Sequence, residues 1–288
     1  VASQPLFDFR ESEIKFSVAS LMRTLRDGGH EGWVLAAYPD PKTKRPLIGA
    51  GFSLDVPATE HPQRDPLNPH RFLEPSSAQL WQAAGLDPER LDRILDRYDR
   101  DLKVWTARNF RRKLKAHALT PEVTDEEAMR LLRISAIQAI WNARAYCRGF
   151  DELSASQQMA LSQLVFQMGV NLEEFVQFLA VLNGDPASTV PDPTVPSVGS
   201  IGPAHWKTVQ DTLVASQWAR LYTRRASTVI AMFDPEYAKD PARAQARVNA
   251  TLRPAVVRRR SSAHPGSMRV ARAPREGNAH AQRKRKVG

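Results

Sequence analysis

Glu31-Gly32-Trp33-Val34-Leu35-Ala36-Ala37-Tyr38-Pro39-Asp40-Pro41-Lys42-Thr43-Lys44-Arg45-Pro46-Leu47-Ile48-Gly49-Ala50-Gly51-Phe52 is the stretch on which the fold turns. Short apolar runs flank the turn-rich Pro39–Lys44, and Ile48–Phe52 follows with two glycines. This pattern predicts a small, twisted β-hairpin or three-stranded sheet. Just upstream, Ile14, Val18, Leu21, Met22 and Leu25 recur at three- and four-residue spacing, so a helix is expected over 12–27. Gly28-Gly29 supplies the backbone freedom that ends it.

Downstream the periodicity changes. Residues 57–76 carry Pro57, Pro62, Pro66, Pro69 and Pro75 with little repeat, which predicts an inserted surface loop. A helix is expected over Pro88–Ala116, with Leu91, Ile94, Leu95, Tyr98, Leu102 and Trp105 along one side. Thr124 with Glu127 forms a capping-box pattern opening a helix through about Ala145. Ser156–Met168 is apolar almost all round, as a central buried helix would be. Further helices are expected over Leu172–Leu182, Trp206–Ser216 and Thr223–Phe233, with a Pro- and Gly-rich loop over 184–204. The fold class is therefore α+β: a small sheet near the N-terminus against a mainly helical body. The expected domain runs over 1–250. An N-terminal lobe covers about 28–122, and a helical lobe covers about 123–250 together with the helix 12–27.

Composition narrows the function classes. The chain has 288 residues, 42% hydrophobic and 25% charged, which is ordinary for a globular protein with a full core. The single cysteine, Cys147, excludes an internal disulfide framework and has no evident base beside it. The seven histidines form no metal-like cluster, so neither a metal nor a cofactor is expected. The formal charge of +10 lies wholly in residues 251–288, which hold Arg258-Arg259-Arg260 and Arg283-Lys284-Arg285-Lys286; residues 1–250 are neutral. That segment has no periodicity and is expected to be a disordered basic tail. Its polycationic character suits anionic cell-wall polymers or phospholipid head groups. Without aromatic stacking residues, a specific nucleic-acid partner is not expected.

Glu31 follows the Gly-Gly helix stop, and Asp40 lies nine residues on in a Pro-flanked turn. Two carboxyls on the walls of a cleft suit glycosidic cleavage. One stays protonated to donate to the leaving oxygen, and the other stays ionised to activate water or stabilise positive charge on the sugar. The string Glu31-Gly32-x5-Tyr38-x-Asp40 with Ile48-Gly49-x-Gly51 resembles the catalytic segment of phage-type (T-even phage) lysozymes. Met159–Gly169 resembles the buried central helix of that family. Ala215–Trp218 with Arg225-Ala226 and Val229–Phe233 is similar to its last cleft-lining helices, and Val123–Leu131 to the start of its interdomain helix.

The resemblance implies a lysozyme-like fold with the active-site cleft between two lobes. It implies a muramidase hydrolysing the β-1,4 bond between N-acetylmuramic acid and N-acetylglucosamine in peptidoglycan. Glu31 would be the general acid, its pKa raised by partial burial, and Asp40 would orient the attacking water with inversion.

Two positions depart from the family: Leu47 stands where a threonine helps hold that water, and Phe52 replaces a histidine. Thr43 or Ser53 can supply the hydroxyl, Asp40 can act alone, or the sugar's own 6-hydroxyl can attack, as in a lytic transglycosylase. Tyr38 is read either as a glycan contact or as a ring bridging sheet and helix, and Arg225 as a contact to glycan or to a carboxylate. Gln167, polar inside an apolar helix, must face a cleft or a buried partner. Trp218 and Phe166 are expected in the core.

A monomer without a transmembrane segment is expected. The chain begins at Val1 with no visible signal peptide. The expected context is a toxic domain of a larger secreted bacterial effector, delivered to the periplasm of a target cell and matched by a cognate inhibitor in the producer. A phage endolysin is the alternative. The rival classes are a non-catalytic glycan-binding protein and a nucleic-acid binder acting through the tail.

Overall fold

A computed structural model describes residues 4–26, 33–40, 42–104, 119–184 and 202–252. Glu31, the 105–116 end of the expected long helix, most of the 184–204 loop and the basic tail from 253 lie outside these described residues. A compact unit spans Val1–Pro254, and a second unit covers 255–288.

The sheet is three-stranded and antiparallel in the order β1 (Val34–Pro39), β2 (Pro46–Gly49), β3 (Phe52–Ser53). Tyr38 pairs with Leu47 and Leu47 with Ser53, while Ile48 pairs with Phe52. Gly49 and Gly51 both take positive φ between β2 and β3, which glycine adopts without steric cost. Gly49 also lets the sheet approach its neighbouring helix, since a Cβ there would lie 3.7 Å from the Ala128 Cβ.

The helices are α1 (Gln4–Phe7), α2 (Val18–Arg26), α3 (Ser77–Ala83), α4 (Pro88–Val104), α5 (Asp125–Tyr146) and α6 (Ala155–Met168). They continue with α7 (Val176–Leu182), α8 (Pro203–Val214), α9 (Gln217–Leu221), α10 (Thr223–Ala231) and α11 (Pro241–Leu252). The architecture is α+β.

Two apolar clusters share α5. One joins the sheet to α3, α4 and the start of α5 through Ala37, Ile48, Trp81, Leu91, Ile94 and Leu131. The larger one gathers α2, the rest of α5 and the helices from α6 onward. The Thr124–Glu127 capping box starts α5 as the spacing predicts. In α6, Leu161 and Leu164 are fully buried, and Gln157, Gln158, Ser162 and Gln163 are buried with them. Their polar groups are paired, for example Gln158 Nε2 to the Phe150 carbonyl at 2.9 Å and Gln157 Nε2 to the Phe233 carbonyl at 3.1 Å. The central helix is buried along most of its length rather than on every side, since Met159, Phe166, Gln167 and Met168 are half-buried, and its buried glutamines are tolerated because they find partners.

Several expectations need correction. The first helix begins at Val18 rather than at 12, because the Ser17 hydroxyl caps it by accepting the Ser20 N–H at 3.1 Å. Ile14 is buried from outside the helix. Leu172–Leu182 is not one helix. A 3-10 helix over Gly169–Glu174 precedes α7, since Gly169 breaks α6 with φ +51°. Helix α3 falls in a gap where none is expected. Helix α11 extends to Leu252, so the helical body overruns the tail boundary placed at 251.

The 57–76 segment has no helix or strand, yet it is not a free surface loop. Its Gln63 and Asn68 amides donate to the Ala145 carbonyl at 2.9 Å each. That carbonyl belongs to the last turn of α5, where helix carbonyls lack intrahelical donors. Leu73 and Asn142 exchange hydrogen bonds, and Trp141 Nε1 donates to the Arg71 carbonyl. The segment lies along α5 through these bonds, while His61 and Arg64 pair instead with Glu173.

Candidate functional site

Asp40 follows the last residue of β1 and opens the turn to β2. Its N–H donates to the Arg45 carbonyl at 2.8 Å, and the Lys44 N–H donates back to the Asp40 carbonyl at 3.0 Å. Lys44 has φ +64°, the left-handed region where a side chain is strained. Asp40 Oδ1 accepts three hydrogen bonds, from Lys42 N at 2.8 Å, Thr43 N at 2.6 Å and Thr43 Oγ1 at 2.9 Å. Among the described residues no hydrogen bond reaches Oδ2. The Thr43 backbone N–H, helped by Lys42, holds the carboxyl below the usual Asp range against a smaller opposing effect of burial. The result is an ionised carboxylate with one oxygen saturated and the other open to accept a proton or a water.

Sheet register sorts the other predicted residues. Tyr38, Leu47 and Ser53 lie opposite one another across three strands, so they share one face, and all three are half-buried. Ser53 stands two strand spacings from β1, roughly 9–10 Å across the sheet. Thr43, by contrast, bonds Asp40 directly. Of the two candidate hydroxyls, Thr43 is the one at the carboxylate, and it serves there as a donor to Oδ1. Leu47 lies between Tyr38 and Ser53 and offers only carbon.

The opposite sheet face, with Ile48 fully buried, packs on α5. A crevice of about 10 Å³, room for a single water, lies between Ile48, Gly49, Phe52, Leu131, Ser135 and Phe166. Gln167 is the neighbour of Phe166 on α6. It is half-buried, and its Oε1 is sealed from solvent and has no hydrogen-bond partner among the described residues. Arg225 is half-buried on α10, and Trp218 is core, as expected. The structure thus unites Tyr38, Asp40, Thr43 and Ser53 on the hairpin sheet and its turn. Gln167 and Arg225 come from the helical body, and Glu31 lies outside the described residues.

Supporting residues surround the hairpin that the spacing arguments do not reach. Arg26 at the end of α2 and Trp33 before β1 both bind Asp125 Oδ1, at 3.0 and 2.8 Å, and the Arg26 guanidinium lies 4.3 Å over the Trp33 ring. The two residues flanking 27–32 therefore meet on one carboxylate at the start of α5. Glu122 N and Val123 N donate to the Leu35 carbonyl, and Glu122 Oε2 accepts the Ala37 N–H at 2.7 Å. Arg97 of α4 grips both Glu122 oxygens.

Among the described residues no group of three ligating side chains is placed to hold a metal ion. No single helix there is long and apolar enough to cross a membrane. Burial pushes the Cys147 thiol up to about 12, far from the reactive range. No protein-family model and no curated protein matches the chain.

Proposed function

We propose that this chain is a peptidoglycan muramidase with a lysozyme-like fold, cutting between N-acetylmuramic acid and N-acetylglucosamine. The observation that carries the reading is the Asp40 carboxylate, fixed through Oδ1 by three donors and left open at Oδ2, nine residues after Glu31. In this reading Glu31 delivers its proton to the leaving glycosidic oxygen. Asp40 Oδ2 draws a proton from a water that attacks the anomeric carbon from the opposite face. One water is consumed, and the product is a reducing end of inverted configuration. Tyr38 would line the glycan track on the half-buried sheet face, with Gln167 and Arg225 approaching from the helical side. Peptidoglycan strands would be the partner. A role as a delivered antibacterial effector with a cognate inhibitor fits this activity, and the basic tail would then favour adhesion to anionic wall polymers.

A second reading has one specific observation behind it. Leu47 puts carbon in the centre of the Tyr38–Leu47–Ser53 row, which favours closure by the sugar's own 6-hydroxyl and a 1,6-anhydro end. Mass spectrometry of digested peptidoglycan separates the two: reducing ends are expected, and anhydro ends would replace hydrolysis with transglycosylation. Glu31→Gln keeps the side-chain shape without an acidic proton and should abolish cleavage while the thermal transition is retained. Full activity in that variant would remove Glu31, and with it this mechanism.

A further inference from the structure

Residues 42–45 of the hairpin turn are exposed, so apolar packing does not shape the loop that carries Asp40. Yet Lys44 is held at φ +64°, a conformation glycine takes freely and lysine does not. Two consecutive residues of α4 reach this region. Arg97 grips Glu122, whose Oε2 takes the Ala37 N–H three residues before Asp40. Tyr98, only 3% exposed, donates its hydroxyl to the Lys44 carbonyl at 2.7 Å, four residues after Asp40. Lys44 in turn closes the loop with its N–H on the Asp40 carbonyl.

We infer that Tyr98 is a positioning residue for Asp40: its hydroxyl pins Lys44 in the left-handed conformation and thereby keeps the Lys42 and Thr43 donors aimed at Asp40 Oδ1. The phenol is suited to the task. Burial, with Asp55, Asp99 and Asp40 as negative neighbours, pushes its ionisation up to about 12, so it stays a donor throughout the working pH range. The charged groups facing Asp40 and the phenol are Lys42 on the same turn, Asp55 after β3 and Asp99 of α4. The inference rests on the proposed muramidase reading for its kinetic consequence only.

The test is Tyr98→Phe, which removes one oxygen and keeps the ring. A ¹³C-detected titration of the Asp40 carboxyl is expected to move upward toward the ordinary Asp value. On cell wall, kcat should fall roughly tenfold or more with KM within about twofold, as for a misplaced catalytic group. Adding Lys44→Gly to Tyr98→Phe should recover part of the lost rate and shift, because glycine holds the positive φ without the tie. An Asp40 titration unchanged from wild type, or a lowered Tm with that titration unchanged, overturns the inference. A shifted titration in a protein that never cuts peptidoglycan leaves the positioning role standing and discards the muramidase reading instead.

Discussion

Thr43 contacts Asp40 twice through the same carboxylate oxygen, by its backbone N–H at 2.6 Å and by its hydroxyl at 2.9 Å. The first contact is the largest cause of the lowered Asp40 pKa, and the second adds to it. Both favour the ionised form, which is the form a base must have.

Thr43→Val keeps the branched shape and the backbone donor but removes the hydroxyl. The Asp40 carboxyl should therefore titrate at higher pH than in wild type, and the acid limb of the cleavage profile should move the same way. A depressed folded-state pKa stabilises the fold above the unfolded Asp value, and that contribution is lost as pH falls through the folded value. The advantage of wild type over the variant should thus be full near neutral pH and shrink as pH falls from 5 to 3, as read by paired Tm values. Asp40 is only half-buried, so that advantage should be modest at every pH.

Glu122 makes a different kind of prediction. It accepts the Ala37 N–H and both arms of Arg97, and its side chain is only 13% exposed. Glu122→Ala would leave the Arg97 guanidinium with Asp101 alone and take the acceptor from a strand N–H, at a cost of about 2–3 kcal/mol. Glu122→Gln still offers an oxygen to Ala37 and should cost less. Urea denaturation of the two variants checks the order.

Glu74 belongs to the 57–76 segment and faces α5, where Asn142 Nδ2 donates to it at 2.8 Å. Burial raises its pKa more than Asn142 and the nearby His61 lower it. A raised folded-state value stabilises the fold below the unfolded Glu value, and that contribution is lost as pH rises through the folded value. Glu74→Gln retains an acceptor for Asn142 and carries no charge. Relative to wild type it should gain stability as pH climbs from 4 to 8, measured by paired Tm values. A constant difference across that range would place Glu74 in a fully hydrated setting.

The legible parts of the fold were those with local signatures. The hairpin sheet follows from turn residues between two apolar runs, and α5 follows from the Thr124–Glu127 box. Helix α3 was equally signed, since Ser76 and Gln79 form the same reciprocal box, but it was masked by the prolines before it. The buried glutamines of α6 were not legible, because whether a polar side chain can be buried depends on distant carbonyls such as that of Phe233. For the site, Asp40 and Thr43 were visible as a Pro-flanked acidic turn. Tyr98 was visible only as one more apolar position along α4.

Sequence by itself determined the α+β class, the β-hairpin with its acidic turn, the neutral body and the separate basic segment. These depend on neighbours a few residues apart and on simple charge counts. Tertiary structure alone decided which oxygen of Asp40 is occupied and that Ser53 lies two strands from it. It also decided that α4 holds the turn and that the proline-rich segment is bound to α5. Each of these joins groups far apart in the chain, and only packing selects which donor meets which acceptor.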